Sequence, residues 1–87
     1  MSKFAVRFLT RDQCPLCDAA RPMVVTAVAR YGGAVEEVDV DGSDDIRERF
    51  GNRIPVVLGT DGTVIAEGRI EKRDLRRGLR RLRRSGA

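Results

Sequence analysis

Between Lys3 and Val40 the chain reads as strand, helix, strand, and this order restricts the possible folds more than any other feature. Lys3 to Thr10 alternates with the period of a strand, β1: Phe4, Val6 and Phe8 fall on one face, Ala5, Arg7 and Leu9 on the other. Arg11-Asp12-Gln13 makes a short loop. Pro15 then suits the first position of a helix. Leu16, Ala20, Met23, Val24, Ala27, Val28 and Tyr31 follow at helical spacing and define α1, which Gly32-Gly33 stops. Val35 to Val40 is a second strand, β2. Two strands joined through a helix run parallel with a right-handed crossover, and such a sheet needs helices to cover its faces.

The second half adds a different unit. Gly42-Ser43 offers a cap, and Asp44, Asp45 and Glu48 suit the positive end of a helix, α2, reaching about Phe50. Gly51-Asn52 ends it. Pro55 to Leu58 and Thr63 to Ala66 are two short strands, β3 and β4. Between them Gly59-Thr60-Asp61-Gly62 carries the Asp-Gly pair of a hairpin. Glu71 to about Arg84 is a last helix, α3, with Leu75, Leu79 and Leu82 on one stripe. The order is β-α-β-α-β-β-α, an α/β fold in a single domain over residues 1–87. A chain of this size buries only about 60% of its unfolded surface, so the core is small.

Charge is unevenly distributed. Residues 1–68 carry 8 Lys+Arg and 11 Asp+Glu, a net of −3, while residues 69–87 carry 9 Lys+Arg and 2 Asp+Glu, a net of +7. Phe4 to Leu9 is too short for a signal-peptide core and is broken by Arg7. No apolar run reaches the roughly 18–20 residues that span a bilayer. The expectation is a soluble cytoplasmic monomer. In that compartment a close cysteine pair is more often catalytic or metal-binding than structural.

Cys14-Pro15-Leu16-Cys17 holds both cysteines of the chain. Disulfide exchange needs a thiolate. The first turn of a helix points unpaired N–H groups outward and carries partial positive charge, so Cys14 at that end is placed to be the attacking thiolate. Cys17, one turn on, can reach the same sulfur and resolve a mixed disulfide. Arg11 favours a Cys14 thiolate, and Asp12 and Asp18 oppose it. A structural bridge fits poorly, because a four-residue loop removes little unfolded-state entropy. Zinc usually takes four Cys or His ligands, and this chain has two Cys and no His. No metal is expected.

The strand, the Cys14-Pro15-Leu16-Cys17 turn, the long helix, and Arg53-Ile54-Pro55-Val56-Val57 opening a hairpin before a terminal helix resemble the thioredoxin superfamily. The likeness is closest to its glutaredoxin-like branch and covers almost the whole chain. Cys-Pro-Leu-Cys-Asp with a downstream Arg-Ile-Pro-Val looks like a compact bacterial glutaredoxin-like family. The resemblance implies a four-stranded mixed sheet of order β2-β1-β3-β4 with helices on both faces. It also implies a cis Pro55 beside the two sulfurs, leaving the backbone of Ile54 to pair with an extended peptide or with glutathione. The activity it implies is thiol–disulfide exchange with a disulfide-containing protein or small molecule. No cofactor would be tightly bound, and glutathione or a thioredoxin-reductase-type protein would supply electrons.

The chain departs from glutathione-using relatives at three places. Arg53-Ile54-Pro55 stands where they show Thr-Val-Pro, Gly68 is a single glycine where they show a pair, and Leu16 replaces an aromatic residue. Arg11 and Arg53 are candidates to hold a glutathione carboxylate, since the guanidinium fork suits that geometry, and are equally readable as solvated charges. With Pro15, Leu16, Ile54 and Pro55 they make up the expected substrate contacts. Pro22 lies inside α1, where it removes a hydrogen bond and kinks a helix. The Arg-rich face of α3 supports a second reading, a binding module for nucleic acid or an acidic protein. The plain alternative is a solvated outer face with its cations near the helix C-terminus.

Overall fold

The computed structural model describes residues 2–85. Its elements are β1 (Phe4–Thr10), α1 (Pro15–Arg30), β2 (Gly33–Asp39), α2 (Asp44–Phe50), β3 (Val56–Leu58), β4 (Val64–Glu67) and α3 (Lys72–Ser85), with one short 3-10 turn at Val40–Gly42. The sheet order is β2-β1-β3-β4. β1 runs parallel to β2, from Phe4 opposite Gly33 to Thr10 opposite Asp39. β3 is antiparallel to β1, with Leu9 opposite Val56, and β4 is antiparallel to β3.

The alternation in β1 divides the core in two. Val6 and Phe8 face α1 and α3, meeting Val24, Val28, Leu75 and Leu79. Leu9 faces the other way, toward Val40, Phe50, Val56 and Leu58 beneath α2. The sheet is therefore the middle layer of three, and a strand covered by helices on both faces must be apolar on both sides. β3 shows this most plainly, since all three of its residues are buried. Among the described residues, no helix is long and apolar enough to cross a membrane.

Several boundaries move by a residue or two, and two differences are physical. Gly33 is not part of a helix stop but the first residue of β2. It pairs with Phe4, whose ring fills the space a Cβ would need. Gly32 alone takes the left-handed turn, at φ 84°. Leu16 is not part of the apolar stripe of α1: it is 48% exposed, and Cys17 is buried in its place. α1 runs unbroken through Pro22, which lies on its exposed side.

The β3–β4 register shifts between Val57 and Leu58, so that Leu58 pairs with Val64 and Val57 with Ala66. This leaves Ile65 as a bulge. Ile65 and Ala66 consequently both turn toward the α1/α3 core, while Val64 joins the α2 side. Gly78 of α3 accepts Ile65, whose Cγ2 occupies the place of a Gly78 Cβ.

Candidate redox site at the start of the first helix

β1 delivers the chain to the C-terminal end of a central strand at Thr10, which is buried. Gln13 then takes the left-handed conformation, φ 58°, which is uncommon outside glycine and helps turn the loop into the helix. Cys14 is the N-cap with extended backbone, and Pro15 opens α1. An N-cap side chain normally offers an oxygen to a free N–H of the first turn. Here the Cys14 Sγ fills that role, accepting from the Cys17 N–H at 3.2 Å. Cys14 and Cys17 are joined as a disulfide, with 5.2 Å between Cα atoms. Their exposures differ: Cys14 is half-buried and Cys17 has no accessible surface. Pro15 and Leu16 between them are exposed.

The Ile54–Pro55 peptide is cis and Pro55 is fully buried. Leu9 pairs with Val56, so Pro55 enters β3 at the end of the sheet where β1 finishes and the cysteine loop begins. Its carbonyl, with that of Arg53, accepts from the Gly68 N–H at 2.8 and 3.2 Å. Ile54 is half-buried, and among the described residues its N–H and C=O make no backbone hydrogen bond.

Both arginines singled out from the sequence flank this end of the sheet, and each is held by a carboxylate of the chain itself. Arg11 donates to the two Asp41 oxygens at 2.8 and 3.0 Å and to the Gly51 carbonyl at 3.3 Å. It ties the loop before Cys14 to the turn after β2 and to the end of α2. The Arg11 guanidinium holds the Asp41 carboxyl below the usual carboxylate range. Arg53 donates to Glu67 at 2.6 and 3.1 Å and stacks on the Phe50 ring at 5.0 Å. It lowers the Glu67 carboxyl in the same way.

A third network lies under the end of β1. Arg21 of α1 donates to both Glu37 oxygens at 2.8 Å, and the Thr10 hydroxyl donates to Glu37 at 3.1 Å. The Arg21 bonds first, then that of Thr10, hold Glu37 below its usual range. Sequence reading missed these partners because they lie 14 to 30 residues apart. One signal was available: Glu37 shares the face of Val35 in β2, the side on which α1 and its Arg21 lie, although Glu37 itself stays exposed. Among the described residues, no group of three or more His, Cys, Asp or Glu is arranged to hold a metal ion.

A sheet of this order, with a cysteine pair at the start of the first helix and a cis proline entering β3, is a thioredoxin-like fold. The model of the glutaredoxin-like domain (DUF836) matches residues 5–80, and the chain belongs to that family. Uncharacterized proteins of Mycobacterium tuberculosis and Mycobacterium bovis are 30% identical over 86 residues, covering 93% of this chain and 88% of theirs. A solved structural-genomics target protein from X. campestris superposes with a TM-score of 0.68 at 28% identity, covering 87% of this chain and 96% of that one. The family and the cysteine pair together indicate a redox-type function.

Proposed function

We propose that the chain is a cytoplasmic thiol–disulfide oxidoreductase in which Cys14 attacks and Cys17 resolves. The observation that carries this reading is the asymmetry of the pair. Cys14 is the accessible sulfur, at a helix N-terminus with a backbone N–H directed at it, an environment that favours thiolate. Cys17 is shielded from every external disulfide but one formed on Cys14.

In the reduced protein the Cys14 thiolate attacks a substrate disulfide. A Cys14–substrate S–S bond forms, the substrate S–S bond breaks, and the leaving thiolate takes a proton from water. Cys17 then loses its proton and attacks the Cys14 sulfur. This forms the Cys14–Cys17 bond and releases the second substrate thiol. The substrate gains two electrons and two protons, and the protein dithiol becomes the disulfide. An external thiol or dithiol protein returns the two electrons. The unpaired Ile54 backbone, beside the donor-free ring of Pro55, supports recognition of an extended peptide at this end of the sheet. Pro15 and Leu16 offer it an apolar contact.

Glutathione is one candidate reductant. Its carboxylates would compete with Asp41 for Arg11 and with Glu67 for Arg53, which favours a protein dithiol as the electron source.

Cys14→Ser abolishes exchange on this reading, and Cys17→Ser accumulates a mixed disulfide at Cys14, both visible by intact-mass spectrometry with a peptide disulfide. Cys14 in the reduced protein alkylates with iodoacetamide faster at neutral pH than free cysteine does. Normal exchange by Cys14→Ser would falsify the proposal. Equilibration in glutathione buffers gives the potential of the pair and shows whether a glutathione adduct forms at Cys14.

A further inference from the structure

The redox site leaves one large feature unused, a groove of about 750 Å³ between α1 and α3. Met23 and Ala27 of α1 and the capping Tyr31 contribute its apolar surface, with the buried Leu75 of α3 behind them, and Arg30, Lys72, Arg76 and Arg80 stand along it. No described acidic residue lines it. Four cations beside an apolar floor, with no anion to balance them, call for an anionic partner that also brings apolar groups.

The geometry also connects this groove to the cysteines. Leu16, Ala19, Met23 and Ala27 follow at steps of three or four residues, which stack on one side of a helix. Leu16, between the cysteines, and Ala19 are exposed, and Met23 and Ala27 are half-buried. An apolar track therefore runs along α1 from the Cys14 turn into the groove.

We propose that the α1–α3 groove docks a protein segment with carboxylates along one side and apolar side chains along the other, and leads it to Cys14. The second half of this statement rests on the oxidoreductase reading. A nucleic acid would use the cations but not the floor. The one aromatic ring of the groove, Tyr31, already has a face taken by the Arg83 guanidinium at 5.0 Å. A membrane surface would need an exposed apolar face on α3, but Leu75, Leu79 and Leu82 are buried in the core.

The probe is a fluorescein-labelled helical peptide with Glu on one face and Leu on the other. A scrambled peptide of the same composition and a DNA duplex serve as comparisons, with binding read by anisotropy. The segregated peptide binds about tenfold more tightly than the scrambled one, and Arg76→Glu with Arg80→Glu weakens it by about tenfold or more. Arg76→Gln with Arg80→Gln gives a smaller loss in the same direction. Arg47→Glu with Arg49→Glu on α2, the opposite face, leaves binding within about twofold. Equal affinity for the scrambled peptide, tighter binding of the duplex, or an equal loss from the α2 pair overturns the proposal.

A second readout separates docking from redox chemistry. Reduction of neutral hydroxyethyl disulfide is unchanged by the Arg76/Arg80 reversals, whereas reduction of the segregated peptide carrying a terminal disulfide falls by about tenfold in kcat/KM. Equal rates for that peptide in wild type and the reversed variant overturn the guiding role. Failure to reduce either disulfide overturns the oxidoreductase reading and leaves docking to be decided by anisotropy.

Discussion

Single atoms decide several positions in this protein. Gly78 sits inside α3, where alanine would ordinarily add about 1 kcal/mol of helix stability. A Cβ there would displace the Ile65 side chain close to its backbone, where it cannot swing aside. Gly78→Ala is therefore expected to destabilise, by about 1–3 kcal/mol as for other overpacked sites. In an Ile65→Ala background the same change is expected to be neutral or stabilising, and a double-mutant cycle in urea measures the reversal. Glu37 gives a pH-dependent case. Its folded pKa lies below its unfolded one, chiefly because of Arg21. The stability this supplies is complete above the unfolded carboxylate value, about 4.3, and is lost as pH falls through the lower folded value. Arg21→Gln should thus lose less of its urea midpoint between neutral and acid pH than wild type does.

At the scale of elements, α3 is held by its leucines and exposes its arginines. Leu75 and Leu79 have no accessible surface and pack on Val6, Phe8 and Val57. Leu79→Ala should cost about 2–5 kcal/mol. A domain of this length has roughly 4–13 kcal/mol in all, so the variant should show a large shift of its denaturation midpoint. The helix was legible because Leu75, Leu79 and Leu82 recur at helical spacing and face one core. β3 and β4 were legible as strands but not in register. The bulge at Ile65 follows from how the hairpin meets α3, and no property of Val64-Ile65-Ala66 alone announces it. The loop before Cys14 is similar. Its length can be read directly, but its anchoring by Arg11 to Asp41 and Gly51 depends on the sheet bringing those segments together.

On the scale of the whole molecule, the disulfide stands apart from both cores. One core lies under α1 and α3 and the other under α2, and each is closed by apolar contacts that do not include the Cys14–Cys17 bond. A loop of four residues contributes at most about 2 kcal/mol by chain entropy. Reduction with excess dithiol should therefore leave a folded protein that unfolds cooperatively, with stability changed by no more than that amount. Collapse on reduction, followed by circular dichroism, would show instead that the bond is structural. A redox protein needs both states folded, and two independent cores supply that tolerance.

What the sequence determined alone is the part governed by local rules. Alternation in β1, helical spacing in α1, proline after Cys14 and glycine after α1 and α2 all act within a few residues. They were enough for the element order, the Cys14–Cys17 pair at a helix start and the apolar stripes. The tertiary structure decided what depends on segments far apart in the chain. It made Cys17 inaccessible and left Leu16 exposed, because the sheet covers one side of the α1 turn and not the other. It also gave Arg11 and Arg53 to Asp41 and Glu67, since a charged side chain takes whichever partner the fold brings within reach. The cation-lined groove arises in the same way, from α1 and α3 lying side by side on one face of the sheet.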